Sequence, residues 1–169
     1  MNNLNINNNY DGPKINKKNF KKKFCVNFLP TNGFIKAEYK SIVDGDTAFF
    51  IVNGINECVR FMVVDAPSFV KGIEPFGKEA TEYVDTLLKN AKEIYLESDK
   101  ANNLRDDTLS ERLLAWIWVD GKLLNYMLVR NGFATNKYIL NENMKYLSFM
   151  RRAYKKAEQE KLNIHSIKL

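Results

Sequence analysis

From residue 34 onward, apolar positions recur first in strand-like runs and later at helical spacings. Phe34-Ile35-Lys36-Ala37-Glu38-Tyr39 alternates loosely, Ala48 to Val52 is apolar and partly β-branched, and Glu57 to Val64 is a third run of this kind. Asp44-Gly45 and Asn53-Gly54 punctuate the runs as turns, which predicts a meander of three antiparallel strands. Pro75 then opens a helical stretch to about Asn90, with Ala80, Tyr83, Val84, Leu87 and Leu88 spaced as one buried helix face requires. Lys92 to Glu97 reads as a fourth strand, and Leu113 to Val119, closed by Asp120-Gly121, as a fifth. Lys122 to Arg130 is a short helix stopped by Asn131-Gly132, and Asn143 to Lys161 is a longer one with Tyr146, Phe149, Met150 and Tyr154 on one side. Five strands with about three helices point to an α+β protein, mainly a small closed β barrel carrying helices.

Composition separates a body from a tail. The 169 residues suit one domain with a real core, and no apolar stretch approaches the roughly 20 residues of a membrane span. The net charge of +6 is concentrated: residues 1 to 40 hold eight lysines against Asp11 and Glu38, whereas residues 41 to 169 are balanced. Residues 1–33, Asn-rich and then lysine-rich, are expected to form a disordered tail ahead of a domain at 34–166, with 167–169 as a C-terminal extension. Such a tail can act as an electrostatic arm toward nucleic acid or an anionic membrane. Phe24 to Leu29 is too short for the apolar core of an export signal. Cys25 and Cys58 lack metal-ligand spacing and read as thiols, and the lone His165 excludes zinc sites built on several histidines.

Against this background a few charged residues stand out. In Asp44-Gly45-Asp46-Thr47 the second aspartate begins a strand and Asp65 ends another, so a meander can bring both carboxylates to one rim, as hard oxygen ligands of the kind Ca²⁺ prefers. The same tetrad also serves as a plain turn with a hydrogen-bonding Asp and Thr. Arg60 precedes Asp65 by five residues, an odd separation that sets the two on opposite faces unless the strand end bends. Arg112 begins the fifth strand, where it suits either a surface ion pair or a planar fork for phosphate.

Taken in order, Val43-Asp44-Gly45-Asp46-Thr47, Val59-Arg60-Phe61, Val64-Asp65-Ala66-Pro67, Gly77-Lys78-Glu79-Ala80, Arg112, Ala115-Trp116-Ile117-Trp118-Val119-Asp120-Gly121-Lys122 and Leu128-Val129-Arg130-Asn131-Gly132-Phe133-Ala134 resemble the staphylococcal nuclease (thermonuclease) family over about residues 34 to 166. The resemblance implies a five-stranded OB-fold barrel with three helices and a Ca²⁺-dependent phosphodiesterase cleaving DNA and RNA with little sequence preference. It places metal carboxylates at Asp46 and Asp65, a carbonyl ligand at Ala66, phosphate-binding arginines at Arg60 and Arg112, and a nucleotide-pocket tyrosine at Tyr138. The family's catalytic glutamate falls at Ser68, too weak a base to activate water near neutral pH. The loop after Pro67 is shortened, Glu74 aligns with a glutamate that is not catalytic, and pocket residues are replaced by Leu109, Ser110 and Leu140. Two readings follow: an attenuated metal-assisted nuclease, expected to be a monomer, and a non-catalytic module that holds nucleic acid or a protein partner.

Overall fold

A computed structural model describes residues 9–16, 33–70, 72–99 and 104–167. The predicted meander is present as β1 (Phe34–Asp44), β2 (Thr47–Val52) and β3 (Ile55–Phe61), followed by α1 (Gly77–Lys89), β4 (Ile94–Glu97) and β5 (Leu113–Val119). A two-residue strand β6 (Lys122–Leu123) leads into α2 (Leu124–Arg130), and α3 (Leu147–Gln159) precedes a closing 3₁₀ turn at Asn163–Ser166. The segment from Lys122 that reads as helix therefore spends its first two residues pairing with Trp118 and Val119 before it coils.

The strands close into a five-stranded barrel of OB type. β1 pairs with β4 through Phe34–Ala37 and with β2 through Glu38–Asp44, and irregular registers at Tyr39/Ser41 and Ile42/Asp44 bend the strand between its two partners. The ring is completed where Val59, Arg60 and Phe61 of β3 run parallel to Leu113, Leu114 and Ala115 of β5. Val59, Phe61, Leu96, Ala115 and Ile117 are almost fully buried inside it. β5 is buried along all seven residues, because α2 packs on the face that the barrel leaves open and Tyr146, at the head of α3, sets its ring edge-on against Trp116 and Trp118.

Two features of this frame position the functional rim. β3 stops at Phe61 rather than running on to Val64, because Val63 adopts a left-handed backbone with φ of 58° and turns the chain. Asn125 of α2 holds that corner, donating from Nδ2 to the Met62 carbonyl at 2.9 Å. At the start of α1, Gly77 lies so close to the preceding loop that a Cβ there would stand 2.4 Å from the Ser68 carbonyl oxygen. A glycine is needed for the loop to fold back on the helix.

Part of the expected tail lies against the body. The Tyr10 ring meets Tyr126 edge-on at 5.7 Å, the Leu123 amide donates to the Tyr10 hydroxyl at 3.0 Å, and the Tyr126 hydroxyl donates to Asp11 Oδ1 at 2.6 Å. Lys156 also pairs with Asp11, and the backbones of Lys14 and Lys122 form an isolated antiparallel β-bridge. Composition alone hides this docking, since one aromatic and one carboxylate supply it. Residues 17–32, with Cys25 and five of the tail lysines, lie outside the described residues. Among the described residues, no helix is long and apolar enough to cross a membrane.

Candidate active site

Asp46, Arg60, Asp65 and Ala66 meet at one rim of the barrel. Asp46 sits in the tight Gly45-Asp46 turn between β1 and β2, and a Cβ at Gly45 would stand 2.8 Å from the Ala66 Cβ, so the turn and the Asp65-Ala66 corner are packed directly together. The Asp46 carboxylate is buried: Oδ2 accepts the Ala66 amide at 3.0 Å and lies 3.2 Å from Arg60 Nη2, while Oδ1 accepts the Thr47 hydroxyl at 2.9 Å. Asp65 is fixed by its backbone, which exchanges hydrogen bonds of 3.0 and 2.9 Å with Thr135. Its Oδ1 lies 3.9 Å from the same Arg60 nitrogen. The turn at Val63 thus removes the strand-parity obstacle between Arg60 and Asp65.

Electrostatics at this rim are asymmetric. Burial pushes the Asp46 carboxyl above the usual aspartate range, and Arg60 and the Ala66 amide offset only part of that shift. Asp65 is more exposed and pairs with Lys137, whose Nζ lies 3.0 Å from Oδ2. The hydrogen bond and charge of Asp65, with a smaller contribution from Glu74, hold the Lys137 ammonium above the ordinary lysine value. Two carboxylates that approach one cationic nitrogen form a hard oxygen pair, the donor chemistry that suits a divalent ion completing its shell from a backbone carbonyl, water and phosphate. Among the described residues no group of three or more His, Cys, Asp or Glu side chains could hold a metal.

Next to the rim opens a cleft of about 470 Å³ whose wall includes Arg60, Asp106, Arg112, Tyr138 and Leu140. Both predicted arginines face the same space. The Arg60 guanidinium lies 5.4 Å from the centre of the Tyr138 ring, and Tyr138 is itself exposed. Arg112 is engaged by Asp106: its Nε donates to Oδ2 at 2.7 Å and its amide to Oδ1 at 3.0 Å. Partial burial works the other way, but hydrogen bonds from Thr108 and Arg112 hold the Asp106 carboxyl below its ordinary value.

Ser68 takes no part in the carboxylate pair. Its hydroxyl donates to Asp44 Oδ2 at 3.1 Å, and the Phe69 amide and Thr81 hydroxyl also reach Asp44, at 3.2 and 3.3 Å. Asp44 therefore organises the loop and the start of α1. The Ser68 amide donates to Glu74 Oε2 at 2.6 Å, and the Glu74 amide returns a bond to the Ser68 carbonyl at 3.0 Å. Lys137 and Asp106 escape the sequence reading because each meets its partner only through a loop whose path no local pattern encodes.

Comparison with known proteins agrees with this architecture. A family model described as "Staphylococcal nuclease homologue" matches residues 58–166. The chain is 35% identical over 127 residues to endonuclease YncB of Bacillus subtilis, covering 73% of this chain and 58% of that protein. It is 34% identical over 128 residues to a thermonuclease of Staphylococcus hyicus, covering 74% of this chain and 72% of that protein. For the SPbeta prophage-derived endonuclease YokF of Bacillus subtilis the identity is 35% over 127 residues, 73% of this chain but only 42% of the relative. With a matched family model over more than half its length and a rim that unites Asp46, Arg60 and Asp65, the chain belongs to the staphylococcal nuclease family of nucleases.

Proposed function

We propose that this protein is a Ca²⁺-assisted phosphodiesterase that hydrolyses DNA and RNA, slowed by the loss of a carboxylate side chain at position 68. The observation that carries the reading is the approach of Asp46 and Asp65 to one cationic nitrogen at the mouth of a cleft holding two arginines and an exposed tyrosine. Asp46 and Asp65, with the Ala66 carbonyl, would hold the ion, which when bound neutralises charge growing on the phosphoryl oxygens and lowers the pKa of bound water. Arg60 and Arg112 offer planar donor forks to the phosphate, Arg112 after exchanging Asp106 for it. Tyr138 gives the nucleotide an aromatic face at the cleft edge. The lysine-rich N-terminal segment adds nonspecific attraction for the polyanion, and the protein acts as a monomer.

The test is cleavage of plasmid DNA and of RNA with Ca²⁺ or with chelator, comparing the native chain with Arg112→Ala. Ca²⁺-dependent cleavage lost in the variant is expected; no cleavage by pure protein across metals, pH values and substrates would overturn the reading. A second reading, a non-catalytic binding module, is favoured by the hydroxyl at position 68 and by the ion pair that occupies Arg112. It predicts nucleic-acid binding that is indifferent to Arg112→Ala and falls when the N-terminal lysines are neutralised.

A further inference from the structure

Water attack on a phosphodiester benefits from a carboxylate that takes the water's proton, and position 68 offers only a hydroxyl, already turned to Asp44. The shortened loop nevertheless brings a carboxylate to the Ser68 backbone from six residues onward. Glu74 Oε2 lies 2.6 Å from the Ser68 amide nitrogen, and the Glu74 amide returns a bond to the Ser68 carbonyl at 3.0 Å. The pair is tied down on two sides, two residues past Ala66, whose amide holds Asp46 Oδ2 at 3.0 Å. Ser68 and Phe69 are tied to Asp44, two residues before Asp46, and the Gly77 backbone seats against the Ser68 carbonyl at the head of α1.

We propose that Glu74 is the water-activating carboxylate of this nuclease, held in place by the Ser68 amide. The inference rests on the phosphodiesterase reading above. An ionised carboxylate has about four lone-pair sites, so one amide bond leaves acceptor capacity for a water, and the exposed position of Glu74 lets water reach it. In the step assigned to it, a water oxygen forms the new bond to phosphorus and gives a proton to Glu74. The ester P–O bond on the far side breaks, and the departing oxygen takes a proton from solvent. Ser68 acts through its backbone amide, as the positioning residue for Glu74.

Glu74→Gln separates this role from loop support, because the amide oxygen still accepts the Ser68 N–H while basicity is lost. The expected result is a fall in kcat of about 10²–10⁴-fold, the usual contribution of a general base, with Tm within a few degrees of native. Adding Ser68→Glu to that variant supplies a carboxylate from the neighbouring position and should bring kcat back to within about tenfold of native. Activity of Glu74→Gln within about threefold of native would overturn the proposal, as would a loss that Ser68→Glu does not repair. Native cleavage that Arg112→Ala abolishes but Glu74→Gln leaves intact overturns this assignment alone. An inactive native chain overturns both this assignment and the nuclease reading.

Discussion

Arg60 Nη2 lies 3.2 Å from Asp46 Oδ2, so a guanidinium shared with Asp65 stands where the two carboxylates draw together. A buried carboxylate needs such a partner, and in its absence a divalent ion is the natural substitute. Arg60→Ala should lower stability by about 1–3 kcal/mol in chelator, the cost of losing a charged hydrogen-bond partner. Ca²⁺ should then raise the Tm of the variant more than that of the native chain, because ligand binding to the folded state recovers stability. Calorimetry with and without the ion checks this. Equal Ca²⁺ shifts in both proteins would contradict it.

Asp46 sets stability against function. Its carboxyl is raised by burial, so the protonated form is the one the fold prefers. A raised folded pKa contributes stability that is fully present below the ordinary aspartate value of about 3.9 and is lost as pH rises through the folded value. At neutral pH the native chain therefore carries a penalty that Asp46→Asn removes. The variant should match or exceed the native Tm at pH 7, lose that advantage by about pH 4, and cleave no nucleic acid. Thermal melts across that pH range are the measurement.

Lys137 is an internal rival for the cation at Asp65. Its ammonium lies 3.0 Å from Oδ2 while the side chain is 64% exposed, so its hold is that of a surface ion pair. Lys137→Met should strengthen Ca²⁺ binding by about two- to fivefold in isothermal titration, whereas Lys137→Arg should leave it near native. Weaker Ca²⁺ binding by the Met variant would show that the lysine assists the ion.

Tyr10 clamps the N-terminal segment to the helical side. Its ring packs on Tyr126 and its hydroxyl takes the Leu123 amide at the start of α2. Tyr10→Ala should cost about 1–2 kcal/mol from the lost ring contact and hydrogen bond. Denaturant melts should show it, and salt-dependent nucleic-acid binding should persist if the lysines following residue 16 are what attract the polyanion. An unchanged melting midpoint would mean that the segment contributes nothing to the folded body.

The sequence by itself determined the five strands, the helices and the grouping of Asp46, Asp65, Arg60, Arg112 and Tyr138 as site candidates. Apolar periodicity, turn chemistry and family motifs are local and survive in one dimension. Tertiary structure alone decided which of those charges touch and what restrains them. Strand parity left Arg60 and Asp65 unresolved until the left-handed Val63 turned the chain. Arg112 could read as phosphate donor or surface pair, and Asp106 now occupies it through a loop contact. Buried Glu97 accepts the Trp118 indole N–H and the Lys145 ammonium from segments far apart in sequence. Burial, unlike periodicity, is a property of the whole packed chain, and it is burial that raises the Asp46 carboxyl and loop closure that sets Glu74 beside Ser68.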